Sequence, residues 1–274
     1  MKSCLTVSLV EEARGGPFVL WDDVPTACAK ASRWGFDAIE IFPPSAEAIT
    51  ALPLAGLLDD NRLKLAALGT GAGWVKHKLS LADPDAAVRG RAIDFVRSII
   101  DAAAPHGAGA IIGSMQGRFG GEVTAADARG YLVDALDVCG RHAADAGVTL
   151  IYEPLNRYET NQACTLADGA ALLARLDEGH SVRLLADLFH MAIEETDMAA
   201  ALRSVASLIG HVHFVDSNRR PVGMGHTDFG PLITALRDGG YTGYLSAEAF
   251  PYPDPDAAAE QTIRAYRYWT GSPA

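Results

Sequence analysis

Residues 148–161 read VTLIYEPLNRYETN: five apolar, β-branched or aromatic-rich positions, then Glu153, then a loop carrying Asn156, Arg157, Glu159 and Asn161. An uninterrupted run this short suits a strand buried on both faces, and such strands belong to parallel sheets covered by crossover helices. The pattern recurs. Strand-like runs are expected at residues 5–10, 38–42, 63–68, 110–112, 148–152, 182–186, 211–215 and 244–247. Helix-like runs lie between them at residues 22–34, 83–106, 124–146, 165–176, 198–209, 231–237 and 256–269. Asp83 is the expected N-cap of the second of these, with Pro84 in its first turn. Gly35, Gly107, Gly147, Gly179, Gly210 and Gly240 are placed to stop helices.

Eight strand–helix units of roughly 34 residues each predict a single (β/α)8 TIM barrel over residues 1–274. The competing architecture is an open doubly wound sheet, which usually carries a glycine-rich phosphate loop after its first strand. Leu9-Val10-Glu11-Glu12 stands there instead, and two carboxylates repel phosphate.

Barrel enzymes place their chemistry where strands end. The fifth to eighth strand-like runs end on or pass through Glu153, Asp187, His213 and Glu248, spaced 34, 26 and 35 residues apart. That spacing is about one unit each, so the four side chains should converge at one end of the barrel. Three ionised carboxylates crowded together repel one another, and a divalent cation removes the conflict by taking their charge from −3 to −1. Oxygen ligands with one imidazole suit Mn2+, Mg2+ or Co2+, with Zn2+ a further alternative. Polar loops follow each proposed ligand and contain Glu159, His190 and Arg219.

Composition limits the function. There are 23 Lys and Arg against 34 Asp and Glu, a net charge of −11, the wrong sign for nucleic acid or an anionic membrane surface. No apolar run approaches a membrane span, and no secretory leader is expected in MKSCLTVSLVEEARGG. Cys4, Cys28, Cys139 and Cys164 lack any C-x-x-C arrangement, which points to reduced, mostly buried thiols and a cytoplasmic protein.

The segments EPLNRYETN (153–161), LADLFHM (185–191), HVHFVDSNR (211–219) and YLSAE (244–248), with GTGAGWVKHKLSLADPDAAVRGRAI (69–93), resemble the sugar isomerase/epimerase family with a xylose-isomerase-like barrel. Within it the chain is most similar to ketose 3-epimerases, in particular 5-keto-L-gluconate epimerases. The resemblance implies that Glu153, Asp187, His213 and Glu248 bind one divalent ion, Mn2+ first among candidates. It implies that Glu153 and Glu248 act as acid and base on opposite faces of the substrate. It also implies that Glu159, His190 and Arg219 bind substrate, with Glu159 and His190 at its C1–C2 end. The expected reaction is inversion of C3 of a 2-ketose or keto-aldonate through an enediolate. The expected partner is that small molecule, and relatives suggest a homodimer or homotetramer.

The alternatives are an aldose–ketose or hydroxypyruvate-type isomerase on the same site, a dehydratase, a multi-zinc DNA-repair endonuclease, and a non-catalytic sugar-binding barrel. Gly223-Met224-Gly225 is a weak phosphate-loop candidate, so an unphosphorylated substrate is expected, with Arg219 and Arg220 available to a carboxylate. Gly69-x-Gly71-x-Gly73 follows a strand, but Trp74 breaks the dinucleotide fingerprint. Trp74 and Phe250 are candidates for an apolar wall. Glu40 and Gln116 lie near strand ends and either touch substrate or make local hydrogen bonds.

Overall fold

Side-chain alternation along each strand divides the core into two layers. The computed structural model describes residues 1–177 and 179–271. Eight parallel strands close in chain order: β1 (Lys2–Ser8), β2 (Ala38–Phe42), β3 (Lys64–Gly69), β4 (Gly109–Ile112), β5 (Leu150–Tyr152), β6 (Val182–Asp187), β7 (Ile209–His213) and β8 (Tyr244–Ala247), which pairs back onto β1. Outward-pointing Leu5, Val7, Ile39, Ile41, Leu150, Leu184 and Val212 join one continuous core with the helices. The other strand face points into the barrel, where Ala67, Ile111, Ile151 and Leu185 form a small separate cluster. Above them the same alternation brings polar side chains into the interior, including Glu40, His211 and His213, all buried.

The helices are α1 (Val24–Trp34), α2 (Glu47–Thr50), α3 (Leu54–Asp60), α4 (Ala72–Val75), α5 (Ala86–Ala103), α6 (Ala125–Asp145), α7 (Leu166–Leu173), α8 (Leu188–Glu194), α9 (Met198–Ser204), α10 (Phe229–Asp238) and α11 (Pro255–Thr270). Side chains of Asp23, Thr124, Asp197, Asp228 and Asp254 cap the amides at the starts of α1, α6, α9, α10 and α11. Thr165 and Asp168 form a reciprocal capping box on α7. Part of the chain's acidity therefore serves helix termini. No helix among the described residues is long and apolar enough to cross a membrane.

The closed barrel agrees with the expected fold, and β2 and β8 keep their expected limits. Several local expectations need correction. The N-cap of α5 is Asp85, not Asp83; Asp83 accepts the Asp85 amide at 2.9 Å instead. Asp83 closes the turn that precedes the helix, and Asp85 caps it by accepting from the Ala87 amide. Gly210 lies inside β7 without positive φ, where a Cβ would press on the Arg183 side chain, so it serves strand packing and not a helix stop. The short helices α2 and α3 were not expected, because Pro43, Pro44, Pro53 and Gly56 break the apolar period between β2 and β3. β7 runs from Ile209 and ends at His213, two residues earlier than expected.

Candidate metal and substrate site

Glu153 follows β5, Asp187 ends β6, His213 ends β7 and Glu248 follows β8. One ligand-competent atom from each lies within 4.8 Å of the others, and all four residues are buried. Nδ1 of His213 is 3.4 Å from Glu153 Oε1, 3.4 Å from Asp187 Oδ2 and 3.7 Å from Glu248 Oε2. Glu153 Oε1, Asp187 Oδ2 and His213 Nδ1 have no hydrogen-bond partner despite complete burial. Buried polar atoms left unpaired are costly. Three of them aimed at one point, two carboxylate and one imidazole, are a donor set that fits a divalent cation.

Local structure fixes each donor. Oδ1 of Asp187 caps α8 by accepting from the amides of Phe189 at 2.7 Å and His190 at 3.4 Å, which leaves Oδ2 facing the cluster. Nε2 of His213 lies 3.1 Å from Oε1 of Glu40, whose Oε2 lies 2.7 Å from Nε2 of His211. Donation from Nε2 to that carboxylate leaves the Nδ1 lone pair for a cation. Gly113 makes room for Glu153, since a Cβ there would come 2.6 Å from Oε2.

The crowding shows in the acidities. Burial first, then the carboxylates of Glu248 and Asp187, push the Glu153 carboxyl up to about 8 although His213 is beside it. Burial likewise raises Glu248. Burial also opposes ionisation of Asp187, but the positive charges of His213 and Arg219 help outweigh it and hold this carboxyl below its usual range. Burial works against charge on His213, yet Glu248 and Glu40 dominate and raise its pKa well above the usual histidine range in the metal-free protein, so ligation through Nδ1 displaces a proton.

The three residues expected at the substrate lie beside this cluster. His190 Nδ1 accepts from the Asn156 amide at 3.3 Å and stands 2.7 Å from Asn156 Nδ2. The amide can only donate, so the ring proton is on Nε2, an atom without a hydrogen-bond partner that lies 3.6 Å from Asp187 Oδ2. Burial keeps this imidazole neutral by lowering its pKa. Asn156 Nδ2 also donates to Glu159 at 2.9 Å. Arg219 bridges Glu159, at 3.2 Å, and Glu248 by its two terminal nitrogens, with its guanidinium 4.8 Å from the Phe189 ring centre.

Arg219 has φ +58°, a left-handed conformation that costs energy outside glycine. Its amide donates to the Asp216 carbonyl at 2.8 Å and its carbonyl accepts from Phe250 at 2.8 Å. The buried Asp216 carboxylate accepts from the amides of Ser217 at 2.8 Å, Gly223 at 2.9 Å and Thr227 at 3.1 Å, folding the loop that carries Arg219. The Gly223-Met224-Gly225 segment therefore already surrounds an internal anion, which accounts for its glycines without a phosphate.

A cavity of about 360 Å³ opens over the cluster, lined by Glu153, Glu159, Arg219 and Glu248 on one side and by Val10, Phe18, Phe42, Ala72, Val75 and Ile111 on the other. Trp74 and Phe250, expected as its wall, do not line it; Phe18 and Phe42 do, with ring centres 4.4 Å apart. Glu40 and Gln116 make local hydrogen bonds: Gln116 Nε2 donates to the Glu153 carbonyl at 3.0 Å and its Oε1 accepts from Tyr152 at 2.8 Å. His211 was not singled out, although the H-x-H spacing on a strand puts both rings on one face. In Gly69-x-Gly71-x-Gly73, a Cβ on Gly69 would collide with the Phe42 ring and one on Gly73 with Met115, so these two glycines serve packing.

Comparison with known proteins matches residues 28–269 to the xylose isomerase-like TIM barrel family. Over 244 residues the chain is 30% identical to D-psicose 3-epimerase of Agrobacterium fabrum, covering 87% of this chain and 80% of that relative. Over 139 residues it is 37% identical to 3-dehydro-D-guloside 4-epimerase of Escherichia coli, so the match spans about half the length of that curated relative, 50%, and 51% of this chain. The solved structure of 3-keto-D-glucoside 4-epimerase from E. coli shares the fold, with a TM-score of 0.78 at 23% identity over 97% of this chain and 98% of that one.

Proposed function

The chain belongs to the xylose isomerase-like TIM barrel family and is related to its ketose 3-epimerases, and from that premise we propose that it is a divalent-metal-dependent epimerase inverting C3 of a 2-ketose. The observation that carries this reading is the convergence of partnerless Glu153 Oε1, Asp187 Oδ2 and His213 Nδ1 on one buried point. Glu153, Asp187, His213 and Glu248 would hold the ion, for which Mn2+ is the first choice. When bound, it supplies Lewis acidity that polarises the ketone beside C3.

The residues do the rest. Asp187 and His213 come from β6 and β7, between the strands that carry Glu153 and Glu248. The two glutamates therefore flank the site, an arrangement that supports one accepting the C3 proton while the other, protonated, returns a proton to the opposite face. One proton leaves carbon and one arrives, so the sugar is unchanged except at C3. Arg219 steadies the Glu248 carboxylate, and the Nε2–H of His190 with Glu159 positions the C1–C2 end.

An uncharged sugar fits better than a keto-aldonate of the 5-keto-L-gluconate kind. Arg219 is already shared by Glu159 and Glu248, and Arg220 stacks 3.8 Å from the Tyr252 ring centre. Arg14 does line the cavity, but it is paired with Glu11 at 2.6 Å. Glu153, Asp187, Glu159 and Glu248 against Arg219 and a divalent ion leave the cluster near −1, which disfavours an anionic substrate.

Incubation of the Mn2+-loaded protein with D-fructose and with D-tagatose, followed by product analysis, tests the reading. The C3 epimer is expected. An aldose product would make the protein an isomerase, and no product from any ketose would contradict the proposal.

A further inference from the structure

Glu159 is the least enclosed of the three residues expected at the substrate. Its side chain is 40% exposed, against 13% for Arg219 and 2% for His190. Space opens on both sides of it, because Glu159 lines the cavity above the carboxylate cluster and also a second one that contains Arg118 and Glu122. Packing therefore does not hold this carboxylate in one place. Two hydrogen bonds act on it directly, from Asn156 and Arg219. The remaining constraint has to come through its backbone.

That backbone is tied to the loop after β4. Arg118 donates to the Tyr158 carbonyl at 3.1 Å, and the Thr160 hydroxyl donates to the Gly117 carbonyl at 3.0 Å. Asn161 meets both backbone groups of Phe119: Oδ1 accepts from its amide at 2.9 Å and Nδ2 donates to its carbonyl at 2.9 Å. A side-chain amide that closes both bonds to one residue stands in for a neighbouring strand, and its orientation is fixed, since the N–H needs the oxygen and the carbonyl needs the nitrogen. The loop it grips is pliant by itself, with Gly117, Gly120 and Gly121 at positive φ. Phe119 packs against Ala82, Val123 and Ala128, so the grip connects the Glu159 segment to a buried cluster.

We propose that Asn161 is a positioning residue: by clamping its loop to Phe119 it fixes where the Glu159 carboxylate stands, and so how the C1 hydroxyl of the ketose is held. This rests on the epimerase reading, in which Glu159 lies at the C1–C2 end of the substrate. Asn161 itself acts on neither substrate nor ion; its side chain bonds to Phe119.

The test compares D-fructose with 1-deoxy-D-fructose, which lacks the hydroxyl that Glu159 would hold, on the Mn2+-loaded wild type and Asn161→Ala. For D-fructose, kcat/KM is expected to fall about tenfold in the variant. For 1-deoxy-D-fructose, slower in the wild type, it is expected to fall less than about twofold, because the contact that the clamp serves is already missing. Mn2+ affinity by calorimetry is expected to be unchanged, whereas general damage to the fold would lower it and slow both sugars alike. Should Asn161→Ala lose its fold, Asn161→Asp carries the same comparison, since it keeps the acceptor for the Phe119 amide and loses only the donor. An equal fall for the two sugars, no fall for D-fructose, or a parallel loss of Mn2+ affinity would overturn the clamp and leave the epimerase reading standing. A wild type active on D-fructose and inert toward 1-deoxy-D-fructose would overturn it too, since a contact that only positions is not indispensable. No turnover of either sugar by the wild type would remove the epimerase reading and the clamp's role with it.

Discussion

Oε1 of Glu40 lies 3.1 Å from Nε2 of His213, on the side of the ring away from the carboxylate cluster, while Oε2 of the same carboxylate lies 2.7 Å from Nε2 of His211. Burial disfavours charge on Glu40, but the two imidazoles outweigh it and hold the carboxyl below its usual range. A charged acceptor at Nε2 fixes which nitrogen of His213 faces a cation and makes that nitrogen a better donor of electrons. Glu40→Gln keeps the shape and removes the charge. Metal affinity measured by calorimetry is expected to fall about 10- to 100-fold with an unchanged circular dichroism spectrum. Unaltered affinity would show that Glu40 does not orient the ligand.

Metal binding should release protons. In the metal-free protein Glu153, raised to about 8 by burial and by Glu248 and Asp187, is largely protonated at pH 7. Ligation requires the carboxylate. Calorimetry in buffers of different ionisation enthalpy is expected to find at least one proton released at pH 7, and affinity rising toward pH 8. No release would mean that the site is already ionised.

The same shift predicts a stability trend with a definite sign. Glu153 binds a proton more tightly folded, at about 8, than at the ordinary value of 4.5. Between these values the folded state holds more protons, so the group's contribution to stability falls as pH rises through that window. The metal-free protein is expected to lose melting temperature from pH 5 to pH 8, and saturating Mn2+ should reverse the loss. A melting temperature independent of metal would contradict this.

Gly113 and Glu153 form a tight pair, because a Cβ at residue 113 would come 2.6 Å from Oε2. The clash is with the carboxylate end of the Glu153 side chain, so an added methyl group acts on that carboxylate directly. Gly113→Ala is expected to displace the Glu153 carboxylate and weaken metal binding by about tenfold or more. Full affinity would show that the carboxylate has room to move.

Asp216 reaches the chemistry only through Arg219, by folding the loop from which that side chain projects. Asp216→Asn is expected to lower kcat/KM on the order of tenfold, with metal affinity retained. Parallel loss of metal binding would mean that the variant disrupts the barrel as a whole.

The strand ends were legible because an apolar run that stops on a charged residue marks both the end of burial and a side chain aimed at the barrel mouth. Glu153, Asp187, His213 and Glu248 stand out in this way, and the structure brings them together. Glu40 and His211 are harder to see. Each lies one alternation deeper in its strand, where a charged residue looks like an exception until its partner, 171 residues away, is known. The wall of the cavity was not legible either. Which of Phe18, Phe42, Trp74 and Phe250 faces the substrate depends on how loops from different units lean on each other. The late start of α5 was hidden because Asp83 and Asp85 are both acceptable caps, and only the turn that Asp83 closes onto the Asp85 amide decides between them.

In the proposed reaction Glu153 and Glu248 exchange the proton at the carbon beside the sugar ketone. NMR of D-fructose incubated in D2O with the Mn2+-loaded protein tests it most directly, alongside Glu153→Gln and Glu248→Gln. Deuterium is expected at C3 of the recovered sugar and of its epimer, with epimer formation lost in both variants and their folds intact. Epimer formed without deuterium at C3, or undiminished in either variant, would contradict it.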